Sequence, residues 1–381
     1  MLNQCQDQFY TTFGSYPQIE DYHKEQAKHS NWVRCKVTDI SIEPLDKTSS
    51  LYTNPSRFAM GTSTEAVEDT ADNLGLALNV GGDIYPIRDT AYKSLLDRAK
   101  INGTALPKLN RTDLSEILNI CLSVHSSDAL LLIRDEKVSA VHSGDESDYS
   151  VLSINELINA LKNKLDSRFP NNEFKSGYAD HSITSAFWTM PEQKEDLLGT
   201  YTKMLAAQGK SVMASKLTPG IRFITSDTGI SSAKVSALLV GAAYPIPIGS
   251  CLAIDHRHIM SKVKDFEDAL DQLFAQFGDT IKKLEKLMEI ELDYPINAMT
   301  RVCKKLSLPK KAAVEAIKMY EMAYGGGTAT THDVFMAMQE IMFILKTDGT
   351  PESKLISVEE NMARALTLRW NDYDLAKAVE Y

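Results

Sequence analysis

The chain lacks the paired cysteines on which disulfides and many metal sites depend. Its 381 residues include five scattered cysteines and no CxxC pair: Cys5, Cys35, Cys121, Cys251 and Cys303. Such usage is typical of a reducing cytoplasm, where cysteines serve mainly as small buried apolar residues. A chain of this length is expected to form two or three domains, and it can bury a large core without disulfides.

Long apolar runs are absent as well. No segment approaches the roughly 18 to 20 apolar residues that a membrane helix needs. The N-terminal segment MLNQCQDQFYTTFG has neither the basic region nor the apolar region of a secretory signal. We therefore expect a cytoplasmic protein without a membrane partner.

Positive charge is in deficit. Lys and Arg number 41 against 51 Asp and Glu, so the formal net charge is -10. This balance argues against a surface coated in positive charge, and hence against broad non-specific binding of nucleic acid. It is compatible with a local basic groove.

Recognised catalytic signatures are missing too. The chain has no HExxH motif, and the glycine run at 325–327 lacks the Lys-Ser/Thr ending of a P-loop, so we interpret it as a flexible connection. A Ser-His-Asp set is recognised by its geometry, which a sequence does not provide. No catalytic residue is therefore predicted from the sequence.

The apolar pattern predicts an α+β fold with a mixed or antiparallel sheet and flanking helices, followed by a C-terminal helical region. The extended runs do not alternate regularly with helices, which argues against a doubly wound sheet. We expect an α+β domain over residues 1–260, in which 1–50 form an arm and a first strand, and a helical region over 261–381. The clearest extended runs are 32–42, 129–134, 137–142 and 220–225.

The helical patterns have apolar residues on one face and recognisable ends. Ser153 and Glu156 form a capping box at the start of one helix. Pro295 is expected to end a long amphipathic helix. Helices are predicted at 65–74, 89–100, 111–123, 195–208, 262–291, 297–306 and 310–322.

A compact polar turn follows the strand at 220–225. It consists of Ser226, Asp227, Thr228 and Gly229, whose hydroxyls, carboxylate and backbone N–H groups could contact a phosphate or a metal-bound phosphate. The same residue types are also what a turn between strands requires, because Asp and Thr bond to nearby backbone and Gly accepts a positive φ. Both interpretations stay open.

Cationic side chains near this turn favour the anion-binding interpretation. Lys216, Arg222 and Lys234 lie in the same stretch of sequence, and Arg257 follows further on. We predict that these cations converge around the turn and contact phosphates.

Cys251, Asp255, His256 and His258 form a cluster of candidate metal ligands. On a strand, His256 and His258 would point to the same face. However, the sequence has neither a CxxC pair nor an HExxH motif to complete the ligand spacing of a known zinc site. Alternatively, Asp255 caps the start of the long helix and the histidines lie in its first turn. No cofactor is predicted beyond a divalent metal at this position.

Basic residues also cluster on two predicted C-terminal helices that a short turn separates. They are Arg301, Lys304, Lys305, Lys310 and Lys311. The arrangement is similar to a helix-turn-helix, whose second helix contacts DNA. The alternative is the solvated surface of a helical bundle.

Three parts of the chain share an order of elements with a known family. They comprise IRDTAYKSLLDRAKING, ILNICL and LLLIRDEKVSAVHSGDES (within 87–147), ITSDTGISSAKVSALL and AIDHRHIM (within 224–260), and THDVFMAMQEI and ARAL (within 331–366). Together they resemble the phage/plasmid-like protein family, a domain of unknown function found in bacteriophages, prophages and plasmids. Two short motifs that the family often shows are Cys-x-Asn-Gly and Ser-Asp-Arg-Tyr. At the corresponding positions this chain has Ser-Cys-Leu-Ala and Ser-Gly-Asp-Glu. The resemblance implies a mobile-element protein that acts in the host cytoplasm, and it implies no specific activity.

We therefore expect a non-enzymatic protein that binds nucleic acid, in particular a single-stranded recombination or annealing accessory. Trp188 or Tyr244 would stack a base in such a complex. The alternative is an interaction protein that binds and inhibits a host defence factor, which suits the acidic net charge better. A third hypothesis is a metal-dependent nuclease that uses Asp227, Asp255 and the histidines. A homo-oligomer is compatible with the sequence.

Overall fold

Antiparallel strands form the sheets of this fold. The structure is a computed structural model, and it describes residues 4–145, 149–241, 245–248, 252–254 and 263–381. The strands are β1 (Tyr10–Phe13), β2 (Ser30–Lys36), β3 (Ile40–Pro44), β4 (Leu76–Val80), β5 (Asp83–Pro86), β6 (Asp128–Arg134), β7 (Lys137–Ser143), β8 (Glu173–Asp180), β9 (Thr184–Thr189), β10 (Thr218–Thr225), β11 (Ala233–Val240), β12 (Ile246–Pro247), β13 (Leu252–Ile254), β14 (Glu291–Leu292) and β15 (Ala329–Thr330). The named strands pair antiparallel in every sheet.

Helices flank the sheets and build the C-terminal region, which confirms the predicted α+β class. They are α1 (Tyr16–Lys28), α2 (Thr64–Asp72), α3 (Asp89–Ala99), α4 (Arg111–Ser123), α5 (Ile154–Arg168), α6 (Lys194–Ala207), α7 (Ser211–Lys216), α8 (Val263–Leu287), α9 (Pro295–Lys305), α10 (Lys310–Tyr324), α11 (Thr331–Met338), α12 (Glu340–Thr347) and α13 (Glu352–Ala363).

Two of the predicted helix ends can be compared with the structure. Ser153 caps α5 as predicted, because its side chain accepts a hydrogen bond from the backbone N–H of Glu156 at 3.3 Å. The prediction that Pro295 ends α8 was wrong. Helix α8 ends at Leu287, and Pro295 is the first residue of α9, a position where proline's fixed φ and missing N–H are favourable.

The largest described sheet has the strand order β1-β8-β9-β10-β11-β12, and β13 also pairs with β11. Strands β8 to β11 follow one another in both sequence and space. The β8–β9 and β10–β11 turns therefore lie at the same end of the sheet, where Thr225 pairs with Thr184. The connection between β9 and β10 lies at the opposite end and contains α6 and α7.

Two three-stranded sheets, β2-β6-β7 and β3-β4-β5, complete the N-terminal part. The predicted hairpin at 129–142 is confirmed as β6 and β7, with Arg134 paired to Lys137. Asp135 and Glu136 between them have φ of 48° and 69°. Positive φ at both central residues is characteristic of the tight two-residue hairpin turn.

Hydrophobic packing joins the C-terminal helices to the main sheet. One cluster of buried residues extends from Phe13 to Trp370, and in it the rings of Phe223 in β10 and Phe266 in α8 lie 5.8 Å apart. A second cluster lies within residues 37–141. The predicted division of the chain at residue 260 stays a prediction. In the described part of the chain, no helix is both long and apolar enough to cross a membrane.

Candidate functional site

The turn between β10 and β11 has its polar side chains directed inward. The hydroxyl of Ser226 donates to the carbonyl of Ser182 at 2.5 Å, and its oxygen accepts from the backbone N–H of Thr228 at 3.2 Å. Thr228 donates to the same Ser182 carbonyl at 3.3 Å. These hydroxyls therefore hold the β10–β11 turn against the β8–β9 turn, as the plain-turn interpretation requires.

The carboxylate of Asp227 is also engaged within the protein. It accepts a hydrogen bond from the guanidinium of Arg134, whose Nε donates to the hydroxyl of Ser30 at 2.7 Å. The backbone carbonyl of Asp227 accepts from His142 at 2.7 Å and from the hydroxyl of Tyr149 at 3.1 Å. Asp227 thus fixes the turn onto the β6–β7 hairpin.

The two cations predicted to approach the turn along the strands are neutralised by helix α13. Arg222 is 5% exposed and forms an ion pair with Glu359, which is 4% exposed. Lys234 forms an ion pair with Glu360 at 2.7 Å. Because these charges are compensated inside the protein, neither cation is arranged to attract a phosphate.

Lys216 lies at the opposite end of β10. It precedes Thr218, the first residue of the strand, whereas the turn follows Thr225, the last one. At about 3.3 Å per residue, the strand separates Lys216 from the turn by roughly 25 Å. The structure therefore brings Ser226 to Gly229 together, but it does not bring Lys216, Arg222 and Lys234 around them.

Several predicted residues lie outside the described part of the chain: Tyr244, Cys251, Asp255, His256, Arg257 and His258. Within the described ranges, no group of three or more His, Cys, Asp or Glu side chains could hold a metal ion. Trp188 has 0% exposure in the main core, so it is not available to stack a base.

The basic residues of α9 secure the C-terminal segment. Arg301 donates to the carbonyls of Leu375 and Lys377, and Lys304 donates to that of Glu380 at 2.8 Å. Lys311 in α10 pairs with Asp348 at 2.9 Å. These contacts favour the helical-bundle alternative over a DNA-reading helix.

A groove of about 870 Å³ lies beside the turn, between α3 and the end of β7. Its walls are joined by two hydrogen bonds. The hydroxyl of Thr90 donates to the carbonyl of Ser139 at 2.9 Å, and the Ser94 hydroxyl oxygen accepts from the N–H of Val141 at 2.9 Å. Of the predicted site residues that the structure describes, Thr228 and Gly229 line this groove.

Two stacked rings form part of the groove lining. The rings of His142 and Tyr149 are nearly parallel, with centroids 3.7 Å apart and planes at 8°. Gly229 has a φ of 74°, and a Cβ at this position would lie 3.2 Å from Cε1 of His142. Glycine is therefore favoured both by the backbone conformation and by the close approach to the imidazole.

Exposed cations lie on the α3 side of the groove. Lys93 and Lys100 are exposed, and among the described residues no carboxylate forms an ion pair with either of them. Arg98 lines the groove as well, together with the carboxylates of Asp89 and Asp97. Among the described residues of the lining, the ionised groups thus carry a small excess of positive charge, in a protein whose net charge is negative.

The sequence contained one signal for these lysines. Positions 93, 97 and 100 recur at the spacing of one helical face, opposite the apolar face formed by Ala91, Leu95 and Ala99. The spacing alone does not indicate a site, because nothing near these positions in the sequence shows that this polar face borders a turn more than a hundred positions later in the chain.

A second, much smaller cavity lies behind the turn. It has a volume of about 20 Å³ and is bordered by His23, His181, Asp180 and Arg134, which is room for roughly one water molecule. Burial lowers the pKa of His23 to about 3 and that of His181 to about 2. Both imidazoles are therefore neutral at physiological pH, and the cavity is too small for an organic substrate.

Comparisons with known proteins return no match to a family model, to a curated protein or to a solved structure. The resemblance to the phage/plasmid-like protein family therefore stays a prediction. Function is therefore inferred from the geometry of the groove.

Proposed function

We propose that the protein binds single-stranded nucleic acid in the groove between α3 and the β10–β11 turn, as a non-enzymatic, mobile-element protein of the host cytoplasm. The observation that carries this proposal is the pair of exposed lysines on the α3 side, Lys93 and Lys100. In the described part of the chain they lack the carboxylate partners that neutralise Arg222 and Lys234.

The chemistry of the groove suits a phosphate-bearing chain. Ammonium groups attract phosphates without selecting a base, and they release counterions when a phosphate is bound. The hydroxyls of Thr90 and Ser94 are used to join α3 to β7, so the lysines are the principal contacts for a ligand. A volume of about 870 Å³ falls within the usual range for ligand pockets, and would hold a short stretch of a longer strand.

A single strand fits this arrangement better than a duplex. The proposed cations come from one short helix and the residue that follows it rather than from a long basic surface, and the net charge of -10 would repel an extended duplex. The aromatic pair of His142 and Tyr149 is buried, so it shapes the groove and does not serve as a stacking platform.

The test is the affinity for a fluorescein-labelled oligothymidylate, measured by fluorescence anisotropy at increasing salt. We expect binding at low salt that weakens steeply as salt is added. The double variant Lys93→Gln/Lys100→Gln should bind at least tenfold more weakly, and the slope of log affinity against log salt should fall by about 0.7 for each lost phosphate contact.

The matched control is the double variant Lys305→Gln/Lys310→Gln, which removes two exposed lysines from α9 and α10. It should bind like the unmodified protein. An equal loss in both double variants would show non-specific attraction and contradict the groove. No binding at low salt, together with capture of one stoichiometric host protein, would favour the interaction-protein alternative.

A further inference from the structure

A cavity of about 370 Å³ lies in the C-terminal helical region, far along the chain from the groove. It is bordered by α7, α10, α11 and the start of α12, and most of its lining is apolar. The lining residues that matter for its chemistry are Met213, Met319, Tyr320, His332, Met336 and Glu340. Methionine side chains adapt readily to the shape of an apolar ligand.

His332 is the unusual member of this lining. Its side chain has 0% exposure, and its Nε2 lies 2.7 Å from the hydroxyl of Tyr201. Its other nitrogen, Nδ1, is buried and has no hydrogen-bond partner among the described residues. Buried polar atoms are nearly always paired, so an unpaired one beside a cavity calls for a water molecule or a ligand group as its partner.

The charges at this cavity favour a neutral ligand. Lys210 and Asp333 form an ion pair, and Asp333 also accepts a hydrogen bond from Thr330 at 2.7 Å. Burial lowers the pKa of His332 to about 4, so the imidazole is neutral at physiological pH. An anionic ligand would meet the carboxylate of Glu340 and compete with Asp333 for Lys210, whereas a neutral one need not.

We propose that this cavity binds a small neutral amphipathic molecule, with an apolar body among the methionines and a hydroxyl that pairs with Nδ1 of His332. A hydroxyl suits this position because it can donate or accept, and so it matches either tautomer of the imidazole. The volume of about 370 Å³ corresponds to the lower part of the range for small-molecule sites.

The test compares para-ethylphenol with ethylbenzene, which has the same apolar body without the hydroxyl. Binding is measured by isothermal titration calorimetry on the full chain. The phenol should bind about tenfold more tightly, which is the usual contribution of one hydrogen bond. In His332→Phe, which keeps an aromatic ring, that advantage should disappear while ethylbenzene binds as before.

A second variant locates the site independently of His332. Ala323 is exposed and borders the cavity, so Ala323→Trp should occupy the space without disturbing the core and should abolish the binding of both probes. Ala105→Trp, on an exposed loop elsewhere, is the control and should bind both. If neither probe binds the unmodified protein, or if the phenol keeps its advantage in His332→Phe, the proposal is overturned. Neither result bears on oligonucleotide binding.

Discussion

Arg222 and Glu359 form an almost wholly buried ion pair that joins strand β10 to helix α13. The two residues are 137 positions apart, and their exposed fractions are 5% and 4%. The guanidinium also lies 5.8 Å from the ring centroid of Phe187 on the neighbouring strand. Burial raises the pKa of the Glu359 carboxyl, and the charge of Arg222 opposes that shift. This arginine therefore has a structural role between two parts of the molecule.

Removing one partner of this pair should destabilise the protein severely. Arg222→Met leaves a buried carboxylate without its cation, which typically costs about 3–5 kcal/mol of unfolding free energy. The double variant Arg222→Met/Glu359→Leu should recover much of that loss, because the buried carboxylate is then removed together with its cation. Urea denaturation measures both. Arg57→Met, which removes a more exposed pair with Glu43 at 2.9 Å, is the control and should cost less than about 1 kcal/mol.

Gly229→Ala should lower the unfolding free energy more than the same substitution at a glycine with similar backbone geometry and open surroundings. Alanine in the left-handed region costs about 1 kcal/mol or somewhat more, and at Gly81, with φ of 63° and no atom within 4 Å, that is the whole effect. At Gly229 the new methyl group would also displace His142, so we expect about 2–3 kcal/mol. Equal losses of unfolding free energy in the two variants would show that the imidazole moves away without cost.

Lys137 should contribute strongly to the unfolding free energy by holding the N-terminal segment in place. Its side chain has 0% exposure, and its ammonium group pairs with Asp7 at 3.0 Å and with Asp69. Lys137→Met would leave the carboxylates of Asp7 and Asp69 without this cation, so we expect a loss of about 3–5 kcal/mol in urea denaturation. Lys203→Met is the matched control, because its pair with Glu195 is 77% exposed on both sides. A loss below about 1 kcal/mol at Lys137 would contradict the prediction.

Features set by neighbouring residues were predictable from the sequence. The β6–β7 hairpin follows from two alternating runs around Asp135 and Glu136, and the start of α5 follows from Ser153 and Glu156. In each case the residues that determine the conformation lie within a few positions of one another. Helix patterns with one apolar face were equally readable, and α4 has the predicted bounds, 111–123.

The candidate site was not predictable in the same way, because its charges are compensated over long distances in sequence. Arg134 and Asp227 are 93 positions apart, and the partners of Arg222 and Lys234 come from α13. A sequence shows the cations near the turn but not the carboxylates that fold onto them. Lys93 and Lys100 were not predictable as site residues either, because nothing near them in the sequence shows that, among the residues the structure describes, they form no ion pair with a distant carboxylate.

Acid should destabilise the protein below pH 6.5, and His181 should account for part of that loss. Its pKa is lowered to about 2 by burial, whereas an unfolded histidine titrates near 6.5. Between these values the unfolded state binds a proton that the folded state does not. Stability is therefore fully present above pH 6.5, and about 1.4 kcal/mol is lost for each pH unit below it. His181→Gln should reduce the fall between pH 7 and pH 5 by roughly 2 kcal/mol, as measured by urea denaturation at each pH. An unaltered pH dependence in His181→Gln would mean that this imidazole is protonated in the folded protein.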